Sequence, residues 1–358
     1  PMAQTKIEWT WRRWPLSALS MSQLQLALDF GAVQHGEGIT LPGYTFNPWI
    51  GCRRVSPGCE HCYAEAMDLR RFSKTLGGAT KDAPVIHWGK GAPRHRTSES
   101  NWSLPLRWNA NAKALGVRLR VFCASLADWL DDEVPVEWLA DLLCLIASTQ
   151  ALDWLLLTKR PQLWRARLEA ILDSQVADTE AKLLARAWLA GVTPSNIWLG
   201  TTVEDQKRAD ERIPTLIAIP ATVRFLSCEP LLGPVDLRLH DYAISSEAHS
   251  VRRTFIHWVI CGGESGEDVK TPAGDIVSAI RPLHPDWARS LRDQCKSAGV
   301  AYFFKQWGEW APCHDATASP EHNFQDGERM FRVGKSAAGN RLDGREHADT
   351  PDRAEVLR

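Results

Sequence analysis

The chain has 358 residues, enough to bury a large core as one barrel-sized domain or two smaller ones. Its 42 Lys and Arg nearly balance 43 Asp and Glu, so net charge singles out neither nucleic acid nor an acidic surface as partner. No apolar run approaches the roughly 20 residues that span a bilayer, and the N-terminus lacks a secretory pattern. No membrane partner is therefore expected, and a cytoplasmic location is. Nine cysteines, an odd number with six scattered singly, argue against a disulfide framework.

In chain order, residues 11–43 interrupt the approach to the first strand and carry a predicted helix over 22–30. A strand is predicted over 44–49 and a helix over 60–73. Between Ile86 and Arg120, seven cations (Lys90, Arg94, Arg96, Arg107, Lys113, Arg118, Arg120) face one acid, Glu99, with Trp88, Trp102 and Trp108 among them. Cations beside aromatic faces suit a nucleic-acid groove, through phosphate attraction and base stacking. A solvated connection anchored by its tryptophans accounts for the same residues. The chain holds 17 Trp, which makes abundance alone no sign of function.

Further strands are predicted over 119–124 (LRVFCA), 153–158 (DWLLLT), 196–202 (NIWLGTT), 222–227 (TVRFLS), 257–262 (HWVICG) and 301–305 (AYFFK). Helices are predicted over 136–148, 161–172, 205–219 and 285–298. Apolar strands separated by helices imply an α/β fold whose parallel sheet is buried on both faces. Six such units and the strand at 44–49 suit a full or partial parallel βα (TIM-like) barrel. Three regions follow: an N-terminal segment with its insertion (1–43), the barrel (44–312) and a wrapped C-terminal tail (313–358).

In such barrels the chemistry gathers at the C-terminal ends of the strands. Here those ends are polar: Ser125 and Asp128, Lys159 and Arg160, Thr201 and Glu204, Ser227 and Glu229, Glu264 and Ser265, Lys305 and Gln306. One of these alone could cap a helix; six strand ends together mark a site.

The strongest motif is GCRRVSPGCEHCYAE, residues 51–65, which spaces Cys52, Cys59 and Cys62 as C-x6-C-x2-C. Three soft thiolates on one loop suit an iron–sulfur cluster or zinc. Structural zinc takes four ligands, and no further Cys or His follows closely, so a zinc knuckle needs a distant fourth residue.

A loop after the first strand, three cysteines and then a helix resembles the radical S-adenosylmethionine superfamily. The usual spacing there is C-x3-C-x2-C with an aromatic residue before the last cysteine; here the first gap is six and His61 takes the aromatic place. A wider resemblance runs over KIEWT (6–10), FNPWIGCRRVSPGCEHCY (46–63), LPLRW (104–108), LTKRP (157–161), ADERIP (209–214), RFLSCEPLLGP (224–234), WVICGGESG (258–266), FFKQWGEW (303–310) and RVGKSAAGNRLDG (332–344). These segments are similar to an uncharacterised three-cysteine-motif family carried by phages and bacteria, from which residues 11–43 depart by their length.

The resemblance implies a [4Fe-4S] cluster on Cys52, Cys59 and Cys62, with one open iron for S-adenosylmethionine and an external electron donor. The cofactor then yields a 5′-deoxyadenosyl radical that abstracts hydrogen from substrate. Gly262, Gly263 and Glu264 match the glycine-glycine-glutamate segment that binds the methionyl amino group in that superfamily. Lys159 and Arg160 suit the cofactor carboxylate, Arg160 alternatively a substrate phosphate. Ser125, Thr201 and Glu204 suit ribose hydroxyls, His61 the cofactor, and Glu229 a substrate amine or an arginine. Cys261, then Cys228 and Cys123, are candidate hydrogen-atom donors at strand ends. A nucleic acid or nucleotide is the expected substrate, by lesion repair or base modification; a peptide or small metabolite, or a non-catalytic iron–sulfur or zinc nucleic-acid binder, are the alternatives.

Overall fold

The computed structural model describes residues 10–35, 37–245, 252–270, 274, 276–312 and 321–351. Seven strands form one sheet: β1 (Tyr44–Thr45), β2 (Leu119–Cys123), β3 (Leu152–Thr158), β4 (Ile197–Thr202), β5 (Val223–Cys228), β6 (Trp258–Gly262) and β7 (Ala301–Gln306). Their order is β7-β6-β5-β4-β3-β2-β1, with parallel pairing and each strand beside its neighbour in sequence. The mixed α/β fold is compatible with a partial βα barrel. Of the full or partial barrel expected, the partial form is the one this sheet is compatible with: among the described residues no ladder joins β1 to β7.

The predicted strand over 44–49 divides. Tyr44–Thr45 join the sheet, whereas Trp49–Ile50 pair antiparallel with His95–Arg96. Pro48 between them has no N–H to donate, which ends the first ladder.

The chain divides into two compact units. One comprises residues 1–52, 87–199 and 219–222; the other comprises 53–86, 200–218 and 223–358.

In the first unit, helices α1 (Met21–Asp29), α3 (Leu104–Leu115), α4 (Val136–Ser148), α5 (Trp164–Asp173) and α6 (Thr179–Leu189) accompany β1, β2 and β3; α2 (Tyr63–Arg70) belongs to the second unit. Residues 12–15, 33–35 and 38–41 build a small antiparallel sheet, and α1 carries a Ser20–Gln23 capping box. Gln23 Nε2 donates to Leu115 O at 2.9 Å, satisfying an orphan carbonyl at the end of α3. The insertion is thus an ordered module fastened to α3. Trp108 is wholly buried and stacks on Tyr44 with ring centroids 4.5 Å apart; Trp102 and Trp154 pack edge-on against Phe46.

Those contacts correct the expected nucleic-acid platform at 86–120. Trp88, Trp102 and Trp108 are core residues and present no face for a base. Arg94 is buried against Asp131 and Glu133, Arg96 pairs with Asp141 and lies over Trp102, and Arg118 bonds Asp153. Lys90, Arg107 and Lys113 stay exposed. The segment anchors itself by its aromatics.

In the second unit, α7 (Gln206–Ala218) and α8 (Pro285–Ala298) accompany β5, β6 and β7. Trp258 on β6 is 0% exposed, meets Phe303 edge-on and donates from Nε1 to Asp349 O at 2.9 Å. Residues 347–349 run along β7: Phe304 N donates to His347 O and Asp349 N to Tyr302 O, at 2.9 and 3.1 Å. This pairing occupies backbone groups that an edge strand would otherwise leave open. Trp258→Ala is expected to cost about 3–5 kcal/mol, as for other deeply buried tryptophans, and to lower the urea midpoint accordingly. A loss below about 1 kcal/mol would contradict the packing just described.

Candidate metal centre

Among the described residues, Cys52, Cys59 and Cys62 are not joined in a disulfide. Cys52 belongs to the first unit and the other two to the second.

Cys52 follows the Trp49–Ile50 strand and is held by its backbone, with Gly89 N donating to Cys52 O at 2.9 Å and a parallel bridge to Trp88. Its sulfur accepts from Arg160 Nη1 and Nη2 at 3.5 and 3.6 Å. The guanidinium is fixed in turn by Asp128, whose Oδ2 lies 2.9 Å from Nη1. Asp128 also accepts from Lys159 N (2.8 Å), Thr158 Oγ1 (2.7 Å) and Leu130 N (3.0 Å). One buried carboxylate therefore ties the end of β3 to the loop after β2 and aims Arg160 at Cys52. Burial pushes the Cys52 thiol up to about 12, and Arg160 is the main influence that favours the thiolate.

Lys159 is half-buried, beside the buried Arg160. Ser125, the expected ribose ligand, instead exchanges hydrogen bonds with the Asn47 side chain, at 3.1 and 3.2 Å. Cys123 is wholly buried in β2, and burial pushes its thiol up.

Cys59 ends a 3-10 turn over Pro57–Cys59, and its N–H donates to Ser56 O at 2.9 Å. Cys62 is the N-cap of α2, where the helix N-terminus favours a negatively charged sulfur. Between them His61 is buried, its Nδ1 3.0 Å from Glu264 Oε2, a close contact that is not aligned as a hydrogen bond. Glu264 accepts from Arg281 N and Nε, both at 2.9 Å, and from Arg281 Nη2. Arg281 reaches onward to Glu60 Oε2 (3.1 Å) and Pro57 O (2.9 Å).

The glycine-glycine-glutamate match changes meaning in this setting. Gly263 is a packing requirement: a Cβ there would lie 1.8 Å from Trp307 O. Gly262 packs on the Glu229 carboxylate. The carboxylate of Glu264 is spent on Arg281 and His61.

Glu229, expected to meet a substrate amine or an arginine, is bound by Lys305 Nζ at 2.7 and 2.8 Å and by Gln306 Nε2 at 2.8 Å, so the protein partner is a lysine rather than an arginine. Glu204 is fully buried and paired with Arg212 at 2.7 Å, and Thr201 is buried within β4. Glu204 thus spends Oε2 on Arg212, while its buried Oε1 makes no hydrogen bond.

Cys261 sits against Tyr302, whose hydroxyl donates to Ala288 O of α8 at 3.0 Å. This turns the thiol toward the helix layer, and burial pushes it up to about 12. Cys228 is also 0% exposed, and burial, then the nearby Cys261 and Cys295, push its thiol well up. Glu229, the next residue, lies just past the end of β5 and engages Lys305. Cys228 and Cys261 are register partners on the face that carries Tyr302, and both are wholly buried, which speaks against the expected hydrogen-donor role. Cys313 and residues 6–9 of the KIEWT segment lie outside the described residues.

Sequence reasoning missed Arg281, whose partners Glu60 and Glu264 lie far apart in the sequence, and Arg212, although its partner Glu204 had been singled out. It also passed over His284, Asp286 and Asp326, whose ligand atoms lie within 4.8 Å of one another. That grouping is a helix cap: His284 Nδ1 accepts from Asp286 N at 3.0 Å, and Nε2 donates to Asp326 Oδ2 at 2.8 Å.

The chain belongs to the family described as protein of unknown function (DUF5131), whose profile matches residues 37–351. Residues 12–35 of the insertion precede that match. Neither the curated proteins nor the solved structures include a match to the chain.

Proposed function

We propose that this member of the DUF5131 family is an iron–sulfur enzyme of the radical S-adenosylmethionine type, with Cys52, Cys59 and Cys62 as cluster ligands. The observation that carries the reading is the guanidinium of Arg160, buried at the end of β3 and bonded to the sulfur of the first motif cysteine. A fixed cation there suits a thiolate that holds metal, and Cys62 at the start of α2 is favoured in the same sense. Three motif cysteines outside any disulfide fit a donor set for four irons with one iron left open. When bound, the cluster would supply one electron to the sulfonium of S-adenosylmethionine, giving methionine and a 5′-deoxyadenosyl radical.

The chain's own residues would bind and orient. Arg160 neutralises charge at Cys52, Lys159 beside it at the same strand end is the proposed partner of the cofactor carboxylate, and Glu229 with Lys305 forms a polar pair for substrate. A nucleic acid or nucleotide remains the proposed substrate class, supported now by the exposed Lys90, Arg107 and Lys113 rather than by aromatic stacking.

The test is anaerobic reconstitution, reduction and incubation with S-adenosylmethionine. Release of 5′-deoxyadenosine and methionine in equal amounts is expected. Protein that holds four irons without cleaving the cofactor would be the non-catalytic binder, and stoichiometric zinc without iron uptake would overturn the cluster.

A further inference from the structure

Resting on the three-cysteine reading, we propose that Glu264 and Arg281 form a clamp that holds the Cys59–Cys62 loop in its ligating shape. Glu264 is then a positioning residue and not a ligand of the cofactor amine.

Both oxygens of Glu264 are already used. Oε2 accepts from Arg281 N and Nε at 2.9 Å and lies 3.0 Å from His61 Nδ1; Oε1 accepts from Arg281 Nη2. The carboxylate is 4% exposed, so an incoming ammonium group would have to displace the guanidinium from a buried site. Arg281 spends its remaining donors on the loop itself, at Pro57 O before Cys59 and at Glu60 after it. It also holds the Glu264 carboxylate within 3.0 Å of Nδ1 of His61, the residue that precedes Cys62.

The far side of the clamp is anchored. Ile280 N donates to Asp268 Oδ1 at 2.9 Å, Ile280 O accepts from Trp310 Nε1 at 2.9 Å, and Asp268 Oδ2 accepts from Arg332 Nη1 at 2.7 Å. Backbone packing completes the arrangement: a Cβ on Gly266 would stand 2.4 Å from His61 O, so only glycine allows the GGESG segment to lie on the loop.

A loop with six residues between its first two cysteines has more conformational freedom to lose than one with three. A bidentate guanidinium–carboxylate pair that grips the backbone and side chains on both sides of Cys59 removes that freedom before metal arrives. Groups that orient metal ligands from behind typically change affinity 10- to 100-fold when removed.

The experiment compares the full chain with Arg281→Ala, Arg281→Lys and Glu264→Gln after anaerobic reconstitution. It reads iron per chain, the rate of iron transfer to a chelator, the electron paramagnetic resonance spectrum of the reduced cluster and S-adenosylmethionine affinity. Arg281→Ala is expected to release iron about ten-fold faster and to show an altered spectrum, with Arg281→Lys in between. Glu264→Gln keeps the side-chain shape, so it serves if Arg281→Ala fails to fold. The clamp requires that Glu264→Gln also release iron faster. Unchanged iron release with weakened cofactor affinity would make Glu264 a cofactor ligand and overturn the clamp. Parent-like release and spectra in the variants would sink the clamp alone, whereas a parent chain that takes up no iron would sink the three-cysteine reading and the clamp with it.

Discussion

Replacing any one of Cys52, Cys59 and Cys62 by alanine is expected to reduce iron in the anaerobically reconstituted protein from about four per chain to near zero. A cluster held by three thiolates has no spare protein ligand, and two thiolates cannot retain four irons. The broad absorption near 400 nm should vanish with the iron, and cleavage of S-adenosylmethionine should fall to background. Cys144→Ala and Cys295→Ala are the controls. Cys144 is half-buried on α4, and Cys295 is 0% exposed on α8 with its thiol pushed up by burial, which disfavours the thiolate a metal needs. Both should retain full iron. A motif variant that retained four irons would remove that cysteine from the ligand set.

The sheet was legible because its strands are nearly continuous apolar runs. DWLLLT and HWVICG admit no helical amphipathic reading at that length, and they form β3 and β6 within one residue of expectation. The helices 136–148 and 285–298 were found in full. Helix α3 was not, because LPLRWNANAKAL reads as a basic, tryptophan-bearing stretch. Its buried face is carried by Trp108, Ala112 and Leu115, together with Asn109, which is buried because its Oδ1 accepts from Ala151 N at 2.8 Å. Gly116 at φ 68° is the stop signal that could have revealed it. The helix α6 was equally available from Asp178, whose side chain caps it by accepting from Glu180 N.

At the site, spacing alone singled out the three cysteines, and the apolar-then-charged ending of β3 singled out Arg160. The partners were not legible. Arg281 acts on Pro57 and Glu60 more than 200 residues earlier, and no local pattern encodes a pairing at that range. Glu264 illustrates the opposite failure. Its three-letter context matched a cofactor-binding segment, yet the burial of its carboxylate under Arg281 is a property of the folded chain alone. Cys261 failed for a geometric reason. A strand end predicts proximity to the site, while the face is set by register, and Tyr302 on the neighbouring strand shows which way the thiol turns.

Arg160→Gln is expected to lower the midpoint reduction potential of the bound cluster by about 50–100 mV. A unit charge 3.5 Å from the Cys52 sulfur is worth about 4–5 kcal/mol at an effective dielectric near 20. Asp128, 2.9 Å from the same guanidinium, cancels much of that and leaves roughly 1–2 kcal/mol, using about 2.3 kcal/mol per 100 mV. The sign follows from charge: the reduced cluster carries one more electron, so a neighbouring cation favours it, and the loss of the cation makes reduction harder. Glutamine still donates toward sulfur, which separates the charge effect from the loss of a hydrogen bond. Asp128→Asn should move the potential the other way, because it leaves Arg160 less neutralised while an amide oxygen can still accept from Thr158 and Leu130. Both variants are read by redox titration of the electron paramagnetic resonance signal, which does not depend on knowing the substrate. A potential that stays put in Arg160→Gln, or rises, would mean that the guanidinium only buttresses the loop and does not tune the electron transfer.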